Sequence, residues 1–194
     1  EYVHELRSFS DLIITGLGTI KADNPRFNVR FKNIGEKAGT LGSNLAILDP
    51  KLELVDNYIS GDLNISKSGN SLFVICNKDL ELKNIQEKLR ASNITLIKSE
   101  LRSDGLIDIH KLLIKLARDY GFREIFVEAG PKLTSSFLSL DNGCVDRFTL
   151  FIAPVWFNKD SKSLFDLTAD PEKMKFPAMK INKTRQIGNT VCLE

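Results

Sequence analysis

The sequence predicts an α/β fold with a mostly parallel central sheet, flanking helices and a C-terminal β-hairpin. Three observations carry that prediction. Between residues 71 and 130, apolar strand-like runs alternate with amphipathic helical stretches, as parallel crossover connections require. The tail, "DRFTLFIAPVWF" and then "AMKINKTRQIGNTVCLE", is β-rich and turns near "IGNT". With 194 residues, 42% of them hydrophobic, the chain suits one domain with a substantial core, and a single domain over 1–194 is the expectation.

The elements follow in order. "EYVHELRSFS" sets Tyr2, Val3 and Leu6 at helical spacing and runs at once into "DLIIT", so the chain opens inside a helix and an upstream segment is expected. Residues 18–23 suit a helical turn after that strand, and Pro25 breaks it. "RFNVR" then continues extended, with Arg26, Asn28 and Arg30 on one side and Phe27 and Val29 on the other. Residues 31–43 are polar and Gly-rich, "NLAILD" is strand-like, and the stretch to about residue 70 is loop with short strands. "SLFVICN", "NITLIKS" and "EIFVEAG" read as strands, and "LKNIQEKLRAS" and "DIHKLLIKLARDYG" as helices. Gly121 closes the second helix, and Asp104 and Asp108 look like caps before it.

Composition excludes several classes. A net charge of +2 with no long basic block argues against a nucleic-acid partner. Nothing approaches the roughly 20 apolar residues that span a bilayer, and no signal-peptide pattern is visible, so a cytoplasmic protein without a membrane partner is expected. Cys76, Cys144 and Cys192 are far apart and the histidines are His4 and His110, so buried free thiols are expected and no metal site. His110 lies on an exposed helix face, His4 has no paired nucleophile, and Trp156 suits a core or an interface.

Two stretches carry chemistry. In "GLGTIKADNPRFNVR" a dinucleotide fingerprint fails, because Lys21 stands where the third glycine belongs. Thr19 and Asp23, four apart, share one helix face with free amides beside them, and an Arg nearby suits a phosphate. A ligand site and a capped turn with solvated arginines both fit these residues. In "FVEAGPKLTSS", Gly130 allows a tight turn, Pro131 suits the first helical position, and the following amides form an anion-binding helix start near Thr134, Ser135 and Ser136. Glu128 beside that start would repel an anion unless it serves sugar hydroxyls or an amine.

In order and spacing, "HELRSFSDLIITGLGTIKADNPRFNVR", "EIFVEAGPKLTSSFL", "VDRFTLFIAPV" and "TRQIGNTVCLE" resemble the reductase domain of the bifunctional riboflavin-biosynthesis deaminase/reductase. The resemblance implies a dihydrofolate-reductase-like fold and 5-amino-6-(5-phosphoribosylamino)uracil reductase activity, in which NADPH reduces the ribosyl group to ribityl. It implies that Arg7 and Arg30 hold the substrate, chiefly its phosphate, with Phe27 lining the pocket and Glu128 accepting hydrogen bonds from it. Thr19 and Asp23 would contact the nicotinamide end, Asp23 being the catalytic candidate. Gly130, Pro131, Lys132, Leu133, Thr134, Ser135 and Ser136 would cradle the pyrophosphate. A homodimer is implied as well.

The chain departs from that pattern in three ways. The zinc deaminase signature is absent, so a deaminase domain is expected elsewhere in the parent polypeptide. The family's first reductase strand should precede residue 1, which predicts a strand-sized gap beside "DLIIT" or "EIFVE". Leu45 and Pro50 stand where the family often has Arg and Ser or Thr near the adenosine end. A second hypothesis is therefore an inactive reductase-like domain that serves as dimerisation or folding partner of a deaminase domain.

Overall fold

The computed structural model describes residues 2–30, 40–41, 43–82, 85–139, 144–158, 161, 163–165 and 179–194, with the backbone alone at 40, 41 and 90. The chain divides into two compact units, Glu1–Gly130 and Pro131–Glu194.

In the first unit, helix α1 (Tyr2–Ser8) leads into strand β1 (Leu12–Gly16). Leu12, Ile13, Ile14 and Thr15 are all fully buried, because both faces of a parallel strand are covered and the apolar run need not alternate. Helix α2 (Leu17–Asp23) starts directly from Gly16 and ends at Asn24, which donates its N–H to the Ile20 carbonyl and turns the chain out of the helix with a left-handed backbone (φ 38). Strands β2 (Val29–Arg30) and β3 (Thr40–Leu41) pair antiparallel. Strand β4 (Asn44–Leu48), helix α3 (Val55–Ser60), a 3-10 turn (Asn64–Lys67), strand β5 (Ser71–Asn77), helix α4 (Ile85–Ala91), strand β6 (Ile94–Ser99), helix α5 (Ile109–Tyr120) and strand β7 (Ile125–Val127) complete the unit.

Five strands form one parallel sheet in the order β6-β5-β4-β1-β7. Ile14 sits opposite Ala46 on one side and Val127 on the other, so β1 is paired along both edges. Of the gap expected beside "DLIIT" or "EIFVE", the first alternative is corrected, because "DLIIT" has "EIFVE" as its direct neighbour; among the described residues β7 pairs with β1 alone. One sheet face and the elements over it bury a continuous cluster of Ile13, Ile20, Phe27, Leu45, Ile47 and Tyr58, among others. Leu45 is fully buried there, which makes it a core residue. Helix α5 buries Ile109, Leu112 and Leu116, and each such side chain contributes about 1.5–3 kcal/mol. Asp108 caps it by accepting from the Lys111 N–H at 3.1 Å, and Gly121 (φ 74) closes it.

Three expectations in this unit need correction. The stretch to residue 70 is helical where short strands are predicted. The fully buried Asp49 carboxylate organises it, accepting from the Glu53 N–H (2.9 Å), the Leu54 N–H (3.1 Å) and the Tyr58 hydroxyl (3.3 Å). "RFNVR" does not alternate: Phe27 takes φ 52, which kinks the chain and buries Phe27, Asn28 and Val29 in succession while Arg26 and Arg30 stay exposed. Asp104 is no helix cap; it pairs with Arg102 and accepts from the Leu106 N–H. Residues 31–39, part of the expected Gly-rich stretch, lie outside the described residues.

The second unit holds helix α6 (Pro131–Leu138) and strands β8 (Leu150–Ile152), β9 (Thr184–Ile187) and β10 (Thr190–Leu193), the strands arranged antiparallel in the order β8-β10-β9. The expected hairpin turns through Gly188 and Asn189, with Gly188 at φ 59. Trp156 is wholly exposed, which corrects its core reading. No described helix is long and apolar enough to cross a membrane.

Candidate active site

The carboxyl ends of parallel strands face the ligand crevice in open α/β sheets. Here the pairing of Ile14 with Val127 sets the ends of β1 and β7 side by side, so Thr15 and Gly16 neighbour Glu128, whose N–H donates to the Ile14 carbonyl at 3.0 Å. Glu128 is met by Arg7 from α1. Arg7 Nε donates to Oε1 at 2.6 Å and Nη2 to Oε2 at 2.8 Å, a two-bonded fork that Lys cannot reproduce. Its Nη1 donates to the Asn28 carbonyl at 2.9 Å, and the guanidinium lies 5.3 Å from the centre of the Phe27 ring. The structure thus gathers Arg7, Phe27 and Glu128 into one cluster in which Arg7 and Glu128 serve each other.

His4 joins this cluster. Its Nδ1 stands 3.1 Å from the Asn28 carbonyl and 3.2 Å from the Arg30 N–H. Burial, and then the cations of Arg7 and Arg30, hold the imidazole below its ordinary pKa, so it is neutral at pH 7. One neutral nitrogen serves one of these two partners at a time, accepting from Arg30 or donating to Asn28.

The segment between α2 and β2 hangs on side chains that the sequence reading did not single out. Asn64 donates from its N–H to Asn24 Oδ1 (2.9 Å) and from Nδ2 to the Asn24 carbonyl (2.8 Å). Asn70 Nδ2 donates to the Arg26 carbonyl at 2.8 Å, and Ser43 Oγ to the Phe27 carbonyl at 3.3 Å. Their available signal was chemical: short amides and hydroxyls serve irregular backbone that has no ladder of its own.

Thr19 and Asp23 share a face of α2, Thr19 half-buried and Asp23 exposed. On β1 the Thr15 hydroxyl is fully buried and without a hydrogen-bond partner among the described residues. In the second unit, Pro131 opens α6 as expected, Lys132 is exposed, Leu133 and Thr134 are half-buried, and Ser135 is buried. Ser136 Oγ donates back to the Lys132 carbonyl at 3.0 Å. Gly130 needs no glycine for its own backbone, since its φ lies outside the left-handed region, and a Cβ there would meet nothing within 4 Å. Among the described residues no group of three or more His, Cys, Asp or Glu is placed to hold a metal.

A parallel five-stranded sheet with flanking helices and a small antiparallel sheet defines an α/β protein. Its residues 1–193 match the RibD C-terminal domain, and the chain belongs to that family. It is 28% identical over 194 residues to the riboflavin biosynthesis protein RibD of Escherichia coli, covering 98% of this chain and 50% of that protein. It is 29% identical over 164 residues to the 5-amino-6-(5-phosphoribosylamino)uracil reductase of Buchnera aphidicola from Acyrthosiphon pisum, covering 84% and 74%. The RibD structure of Acinetobacter baumannii superimposes with a TM-score of 0.71 at 22% identity, covering 99% of this chain and 48% of that one, and shows the shared fold. The chain spans about half the length of the RibD relatives it matches.

Proposed function

We propose that this chain is a reductase domain of riboflavin biosynthesis that reduces the ribosyl group of 5-amino-6-(5-phosphoribosylamino)uracil to ribityl with NADPH. The observation that carries the reading is the adjacency of the ends of β1 and β7, with Glu128 held by Arg7 next to the strand that leads into α2. NADPH supplies the hydride when bound. The residues fit such a cofactor in that Gly130 leaves open the space a Cβ would fill.

In the first unit, Thr19 and Asp23 take the nicotinamide end, and the Asp23 carboxylate stabilises positive character at the carbon being reduced in the ring-opened ribosylamine, or relays a proton to it. Arg30, exposed beyond the kink, takes the 5-phosphate. Phe27 supports the pocket, Glu128 accepts from sugar hydroxyls, and Arg7 fixes Glu128. Gly130, the last residue of the first unit, and Pro131 to Ser136, in the second, are the proposed pyrophosphate contacts, a helix start being suited to an anion. The working protein is proposed to be a cytosolic homodimer with a deaminase domain elsewhere in the same polypeptide.

The engagement of Glu128 by Arg7 also suits a second reading, a reductase-like domain that has lost turnover and serves as dimerisation or folding partner of a deaminase domain. Assay of the full-length chain with the phosphoribosyl substrate, following NADPH absorbance, separates the two. Turnover supports the reductase. In the same protein a folded Gly130→Asp variant should lose NADPH binding, and retained affinity overturns the pyrophosphate assignment.

A further inference from the structure

Asn70 lies outside every motif, yet its side chain touches three segments at once. Nδ2 donates to the Arg26 carbonyl (2.8 Å) and to the Ile65 carbonyl (3.3 Å), while Oδ1 accepts from the Ser43 N–H (3.0 Å). We infer that Asn70 is the positioning residue that holds Phe27 in its left-handed backbone conformation and thereby aims Arg30, a role that rests on the proposed function of that arginine.

The argument is geometric. Residues other than glycine avoid positive φ, and a bulky aromatic has no local hydrogen bond to offset it, so φ 52 at Phe27 persists where the surroundings impose it. The φ of Phe27 is set by the peptide plane before it and the ψ by the plane after it. The first plane is held through the Arg26 carbonyl by Asn70 itself. The second is held through the Phe27 carbonyl by Ser43 Oγ, and Asn70 grips the backbone N–H of that same serine. One side chain therefore governs both torsions, directly and through one neighbour. The Asn64 pair with Asn24 fixes the other left-handed residue at the start of the segment, where an asparagine tolerates the conformation by itself. The kink at Phe27 is what buries Phe27, Asn28 and Val29 in succession and leaves Arg30 exposed, with its N–H at His4.

Asn70→Asp tests this in the full-length protein, because it keeps the shape and the acceptor for Ser43 while removing both donations. Amide hydrogen exchange at Arg30 should accelerate, and the KM for the phosphoribosyl substrate should rise about threefold to tenfold, the loss expected for one hydrogen bond, with NADPH affinity and kcat held. Ser43→Ala, which frees only the second plane, should move both readouts in the same direction by less. Unchanged exchange overturns the inference, as does faster exchange with an unchanged KM. Loss of the cooperative unfolding transition in both variants also overturns it, since Asn70 would then serve the whole unit. Should the wild type not turn over the substrate, the proposed function fails, while the exchange result still decides whether Asn70 holds the kink.

Discussion

Arg7 and Glu128 are 121 positions apart in the chain and meet through two charge-assisted hydrogen bonds of 2.6 and 2.8 Å, with 13% and 22% of their side chains exposed. The pair ties α1 to the end of β7. A double-mutant cycle of Arg7→Ala and Glu128→Ala should give a coupling of about 1.5–3 kcal/mol by denaturant unfolding. Additive effects would reduce the pair to a surface contact. Arg7→Lys should lose most of the same coupling, because an ammonium offers no fork and cannot also reach the Asn28 carbonyl.

Asp23 is exposed at the last position of α2 and has no hydrogen bond or ion pair among the described residues. Under the proposed function, Asp23→Asn should lower kcat by tenfold or more, on the order of what positioned acid–base groups supply, with little change in substrate KM or unfolding midpoint. Equal kcat would leave Asp23 a terminal helix residue.

Arg30→Ala removes the proposed phosphate partner. The KM for the phosphorylated substrate should rise by about tenfold to a hundredfold, matching the roughly 1.5–3 kcal/mol of a hydrogen bond to a charged group, while the Kd for NADPH stays constant. A parallel rise in both would assign Arg30 to the cofactor or the fold.

The pH dependence of stability should carry a contribution from His4. Its folded pKa lies below the ordinary value near 6.5, so between those two values the unfolded chain holds a proton that the folded chain does not. Stability from this group is therefore complete above about 6.5, falls as the pH drops to the folded pKa, and is level below it. Titrating it also puts a third cation beside Arg7 and Arg30. His4→Gln should flatten the decline of Tm below about pH 6.5 relative to wild type; superimposable curves would remove His4 from the account.

Local signals made much of the fold legible. Helix α5 carries its own punctuation, Asp108 before and Gly121 after, and its apolar positions recur at helical spacing. Strands β5 and β6 are apolar runs between turn residues. Helix α3 was not legible, because the Asp49 carboxylate that orders it acts from a buried position created by packing around Tyr58. Nor does any neighbour in sequence announce positive φ at Phe27; the residues that impose it, Ser43 and Asn70, come from the start of β4 and the approach to β5. Arg7 and Glu128 stood out singly. Their meeting depends on β1 pairing with β7, a register that neither segment encodes alone.

That register has a consequence for the chain on the ribosome. β1 can zip to β4 soon after Leu48 emerges, but its second edge stays open until Ile125–Val127 arrive. At about 5–20 residues per second, the intervening roughly 80 residues take on the order of 4–16 s. For that interval the nascent polypeptide displays an unpaired edge on a strand whose residues 12–15 are destined for full burial, the kind of edge that templates wrong partners. Chains that stall before Ile125 are the ones most exposed to aggregation, and every residue between β4 and β7 lengthens the wait.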